Sequence, residues 1–108
     1  MNKAEQTYLE QFSEWLTIKG FTNNTVQGLC KTVKHFLNWI EPQNIEPENV
    51  SYNDVLAYIN YKRKQGNKPR TLILIVNALN HFYRFLQSEH QLNENPASNV
   101  QIKGIKRK

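Results

Sequence analysis

From Thr71 to Gln87 the chain runs without a glycine or proline, and its apolar residues fall on two adjacent stripes. Leu72, Val76, Leu79, Tyr83 and Leu86 make one; Ile75, Ala78, Phe82 and Phe85 make the other. Steps of three and four residues place side chains on one face of an α-helix. A helix with two such stripes must be covered over most of its circumference, so this segment predicts the central helix of a bundle. Pro69 suits its first turn, where a missing N–H costs nothing. The strip left over carries Arg70, Leu74, Asn77, His81 and Arg84.

Three further segments show the same period. The first extends from about Ala4 to Lys19 with Tyr8, Leu9, Phe12, Trp15 and Leu16 inward, and Gly20 as its stop signal. In the second, Thr22, Asn23 or Asn24 supplies an N-cap before Val26, Leu29, Val33, Phe36, Leu37 and Ile40, and the Glu41-Pro42 step ends the pattern. The opposite ridge of that helix reads Gln27, Lys31, Lys34 and Asn38. After a loop through Pro42 and Pro47, Ser51 and Asp54 form an acidic variant of the capping box. The third helix then buries Val55, Leu56, Tyr58 and Ile59 and runs to about Gln65, with Lys62, Arg63 and Lys64 before Gly66. Beyond Glu89 the period is lost at Asn93, Asn95 and Pro96, and a polar, basic tail is expected. Four helices without a strand pattern predict an all-α fold, a four-helix bundle of two helical hairpins.

A chain of 108 residues supports one hydrophobic core and not two, so a single domain is expected. Two Trp, five Phe and five Tyr argue against disorder despite the low mean hydropathy. Trp15, Phe36, Trp39, Phe82 and Phe85 recur at helical spacing, which marks them as core rather than a stacking platform for single strands. Cys30 is the only cysteine, so neither a disulfide nor a thiolate metal cluster is available. Its neighbours Leu29, Val33 and Phe36 make it a core or boundary residue, and no metal or cofactor is expected. With no long apolar run, and with Glu5, Glu10 and Glu14 near the start, a membrane partner or secretion is not expected; the cytoplasm is.

The net charge of +5 is moderate, but its distribution is not even. Residues 19 to 40 hold Lys19, Lys31 and Lys34 without an acid, whereas 41 to 61 hold Glu41, Glu46, Glu48 and Asp54 without a Lys or Arg. The sign flips again between 62 and 88, where Lys62, Arg63, Lys64, Lys68, Arg70 and Arg84 meet no carboxylate. Segregated blocks concentrate positive potential on particular helices and point to a polyanionic partner.

These residues resemble the N-terminal core-binding domain of tyrosine recombinases, the phage integrase family, especially its integrase and Xer-like branch. The likeness runs from residue 8 to residue 100. It is carried by Phe12 with Trp15-Leu16, Gly20-Phe21, Asn24-Thr25 and the run Phe36 to Ile40 in the first half, and by Ser51, Asp54-Val55 and Arg70-Thr71 in the second. Ala78-Leu79, the run Phe82 to Leu86 and Asn95-Pro96-Ala97 complete it. The resemblance implies a SAM-like domain on one side of duplex DNA, with the second and fourth helices facing it and a separate C-terminal catalytic domain on the other side. Residues 1–100 would form the DNA-binding domain and 101–108, with Lys103, Lys106, Arg107 and Lys108, the start of the basic linker. The full protein would cut and rejoin DNA through a phosphotyrosine, as a tetramer and without a nucleotide cofactor; this chain would hold no catalytic residue.

Charge and resemblance together select Asn24, Thr25, Gln27, Lys31 and Lys34 on the second helix as DNA contacts. Lys68, Arg70, Thr71, Asn77, His81 and Arg84 are selected at and on the fourth. Lys and Arg neutralise phosphates, while Asn, Gln, Thr and Arg can read base edges in the major groove. The spacing of His81 and Arg84 spells H-x-x-R, a phosphate-holding motif of the family's catalytic domain, but no later tyrosine follows Tyr83 and the intervening residues are needed for packing. Ile73, Leu74 and Ile75 depart from the family, which is more polar and basic there. Three readings follow: Leu74 touches thymine methyls, the surface packs on another protein, or the helix is rotated relative to the family. Two functional alternatives stand beside DNA gripping, a helical protein-interaction module and a non-catalytic regulator that occupies recombinase sites.

Overall fold

The computed structural model describes the backbone of residues 3–100 and the side chains of residues 6–100. It holds four α-helices: α1 (Lys3–Ile18), α2 (Asn23–Ile40), α3 (Tyr52–Lys64) and α4 (Pro69–Glu89). Two short 3-10 turns, Glu41–Gln43 and Pro47–Asn49, join α2 to α3, and there is no strand among the described residues. The fold is all-α, as the periodicity predicts. The expected linker at 101–108 lies outside the described residues.

Each helix starts and stops for a local reason. Of the three cap candidates before α2, Thr22 takes the position, its hydroxyl accepting the Thr25 N–H at 3.3 Å. At α3 the capping box closes reciprocally: Ser51 Oγ accepts the Asp54 N–H at 3.1 Å and Asp54 Oδ2 accepts the Ser51 N–H at 2.9 Å. Gly20 and Gly66 both sit at φ +96°, in the left-handed region open to glycine. There the chain turns back on itself, with Phe21 N–H bonded to the Leu16 carbonyl and Asn67 N–H to that of Lys62. The end of α4 makes the same turn without glycine, since Gln91 takes φ 57° and Leu92 N–H reaches the Leu86 carbonyl at 3.2 Å.

The two stripes of α4 are buried in full, from Leu72 through Leu86. α1, α2 and α3 each pack against it, and α1 packs against α2. Aromatic edges join α1 to α4: Phe12 meets Phe82 at 5.4 Å and Phe85 at 5.7 Å between ring centroids. A second aromatic group, Phe36, Trp39 and Tyr58, joins α2 to α3. The buried Tyr83 hydroxyl donates to the Pro47 carbonyl at 2.8 Å and ties the α2–α3 connection to the core.

The segment after α4, without helical period and mostly polar, is docked on the core. Ala97 is buried, Leu92 and Val100 pack on the core, and Asn95 Nδ2 donates to Asn80 Oδ1 at 2.6 Å. Three apolar anchors are too sparse to make a period, yet they dock the chain as far as Val100.

The unfavourable φ at Gln91 yields a stability prediction. Gln91→Gly is expected to raise stability by about 0.5–1 kcal/mol, whereas Gly66→Ala should lower it by about 1 kcal/mol or more. Paired urea melts of the two variants read this; a loss on Gln91→Gly would refute the left-handed turn.

Candidate nucleic-acid interface

Burial of Val26, Val33, Phe36, Leu37 and Ile40 turns the opposite ridge of α2 outward. Gln27, Lys31 and Lys34 accordingly lie exposed along it, and Asn24 and Thr25 are exposed in its first turn. Thr25 also serves the cap, its hydroxyl oxygen accepting from that of Thr22 at 3.0 Å.

On α4 the core stripes leave one outward strip. Lys68 occupies the N-cap position without a capping bond from its side chain, and Arg70 and Thr71 are exposed in the first turn. Asn77 and Arg84 are exposed further along. Leu74 stands among them 63% exposed, while Ile75 is buried and Ile73 half-buried. The predicted stripes of the helix face the core, and of the apolar trio only Leu74 points away.

His81 is half-buried because its ring meets Phe21 edge-on, 5.4 Å between centroids at 80°. Phe21 belongs to the turn that starts α2, so this contact sets the middle of α4's outer strip beside Asn24 and Thr25. Burial, and then the charge of Arg84, hold the His81 imidazole below its ordinary proton affinity. Lys68, Arg70 and Thr71 lie at the far end, about 16 Å along the helix from His81 at 1.5 Å per residue. Lys31 and Lys34 lie further along α2. The predicted residues thus form an extended surface on two helices, not a pocket.

The cations on this surface are unpaired. Among the described residues the one ion pair joins Glu48 to His90 at 3.9 Å, and no Lys or Arg takes part. Lys31, Lys34, Lys68, Arg70, Asn24 and Asn77 make no side-chain hydrogen bond within the described part of the chain. Two of the acids are occupied elsewhere: Asp54 in the α3 cap, and Glu48 in accepting a hydrogen bond from the Tyr8 hydroxyl. That leaves the positive potential of both helices open to a polyanion.

Arg84 also borders an open cleft of about 1070 Å³ between α4, the start of α3 and the docked segment, whose walls include Asn80, Asn93, Asn95 and Ser98. This cleft has no signature in the sequence, because its far wall is a segment without helical period. No group of three or more His, Cys, Asp or Glu able to hold a metal occurs among the described residues. Cys30 is half-buried, and burial pushes its thiol above the ordinary range, away from nucleophilic use. No described helix is long and apolar enough to cross a membrane.

Residues 8–91 match the family of phage integrase N-terminal, SAM-like domains. The chain belongs to this family. As a SAM-like domain it is similar to the tyrosine recombinase XerC of Herpetosiphon aurantiacus, 31% identical over 88% of this chain and 32% of that protein. It is likewise similar to XerC of Bacillus pumilus, 33% identical over 85% of this chain and 31% of the relative. Tyrosine recombinase XerD of Listeria innocua is 20% identical over 86% of this chain and 32% of its own length. The SAM-like domain thus spans about a third of the relatives it matches. No solved structure gave a significant match.

The SAM-like domain's His81 offers a direct check on the α2–α4 junction. In an NMR titration its ring is expected to protonate below 6.5, the ordinary value, and Arg84→Ala should recover only part of the difference because burial is the larger cause. With the folded value depressed, the neutral ring contributes stability above pH about 6.5 that is lost as pH falls through the folded value. Titration at or above the ordinary value would contradict the seating of His81 against Phe21.

Proposed function

We propose that this chain is the core-binding domain of a tyrosine recombinase, gripping duplex DNA through α2 and α4. The observation that carries this reading is the pair of outward strips with unpaired cations, joined at Phe21 and His81, in a member of the integrase N-terminal family. Lys31, Lys34, Lys68, Arg70 and Arg84 would neutralise phosphates and release counterions. Asn24, Thr25, Gln27, Thr71, Asn77 and His81 carry the hydrogen-bonding groups that fix register or read base edges. An extended surface with no enclosed floor suits a polymer better than a small molecule.

In this proposal residues 1–100 are the DNA-binding domain, and residues 101–108 begin a basic linker to a C-terminal catalytic domain. The relatives are named tyrosine recombinases and are about three times as long, which supports a full-length protein of the same class. That protein would exchange strands through a phosphotyrosine, as a tetramer in the cytoplasm. Within this chain α2 and α4 would position DNA and perform no bond chemistry.

Salt is the decisive variable. With about six phosphates contacted, affinity for a short duplex should fall by roughly 10³ between 50 and 200 mM salt. Lys31→Ala with Lys34→Ala should flatten the slope of log affinity against log salt by about two. Amide shifts on titration with duplex should cluster at 23–34 and 62–84. Binding that ignores salt, or no binding at low salt, would remove the DNA-gripping reading.

A further inference from the structure

We propose that Leu74 is a specificity-determining residue that seats on the C5 methyl of a thymine in the major groove. This rests on the DNA-gripping reading and says which base the middle of α4 prefers.

Leu74 is the most exposed apolar side chain of α4, at 63%, while its neighbours Ile73 and Ile75 turn toward the protein. The inward demand of the helix is already met by its two stripes, so Leu74 is not a core residue left uncovered. Its neighbours on the outer strip, one helical step away, are Arg70 and Thr71 on one side and Asn77 on the other, with His81 a further turn on. Arg70, Thr71 and Asn77 make no side-chain hydrogen bond within the described part of the chain.

This composition selects the occupant. A dry apolar partner helix would cover Leu74 but strand the donors and acceptors around it, which is costly. Thymine satisfies both kinds of group, since in the major groove it sets a methyl beside the O4 acceptor, and its paired adenine offers N6 and N7 to an amide side chain. Leu74 and Asn77 are about 4.5 Å apart along the helix axis, comparable with the rise of one base-pair step. They can therefore address the two chemistries of one T·A pair or of adjacent pairs.

The test removes the methyl alone. The 108-residue chain is used to select its preferred duplex from a randomised library, and each thymine of that duplex is then replaced in turn by deoxyuridine. At one or two positions the substitution should weaken binding roughly three- to fivefold, the worth of one buried methyl. Leu74→Ala, at an exposed helical site that tolerates alanine, should bind the thymine duplex that much more weakly and show no further loss with deoxyuridine. Its dependence on salt should be unchanged. Salt-dependent binding by the parent chain that ignores every deoxyuridine overturns the role of Leu74 and leaves the DNA reading standing. A deoxyuridine penalty that persists in Leu74→Ala also overturns it, because the methyl is then read elsewhere. Failure to bind any duplex overturns both readings.

Discussion

The burial of both apolar stripes of α4 is the constraint on which the rest of the molecule depends. Its two stripes, Leu72 to Leu86 and Ile75 to Phe85, take up about half of its circumference. They can be covered only because α1, α2 and α3 each lay an apolar face against them. The same packing decides where function can reside on this helix. Between the ends of the helix the core leaves outward the strip through Arg70, Leu74, Asn77, His81 and Arg84, with Thr71 beside it, and the candidate site on α4 draws on those positions. Side chains in a close-packed interior occupy fixed rotamers, which holds the strip's orientation relative to α2.

That orientation is set by the turn between α1 and α2. Gly20 adopts a conformation costly to other residues, the chain reverses, and Phe21 arrives with its N–H on the Leu16 carbonyl and its ring against His81. Thr22 then caps α2. Three consecutive residues thus end one helix, seat the next and bring its first turn to the middle of α4. The acids play a complementary part: Asp54 completes a cap, while Glu48 accepts from Tyr8 and pairs with His90. Carboxylates engaged at the helix ends are not available to neutralise Lys31, Lys34 or Arg70.

What was legible in the sequence was what is local. The helices, their stop glycines, the Ser51–Asp54 box and the inward stripes are encoded in residues a few positions apart, and they appear where periodicity places them. The outward faces carrying the candidate site follow as complements of those stripes. The meeting of the faces was not legible, because the contact between Phe21 and His81 links residues 60 positions apart with no pattern to announce it. The docked segment was hidden for another reason. Its anchors Leu92, Ala97 and Val100 are spaced irregularly among polar residues, and a period-based reading sees only the polar ones. The cleft beside Arg84 was lost with it. Ile73 to Ile75 shows the intermediate case: the inward place of Ile75 follows from its stripe, whereas what the exposed Leu74 meets is not encoded locally.

The chemistry of the surface is sorted by position. Along α4 formal charge sits toward the limits of the strip, on Lys68 and Arg70 at its start and on Arg84 toward the other end. Between them lie Leu74, Asn77 and His81, and the depressed proton affinity of His81 leaves that ring neutral at neutral pH. Charges attract phosphates whatever the sequence, whereas uncharged groups discriminate through shape, methyl contacts and paired donors and acceptors. A duplex lying across α2 and α4 presents its chemistry in the same order, with a groove floor of base edges flanked by two phosphate backbones. That correspondence is what the proposed DNA-gripping function asks of these two helices.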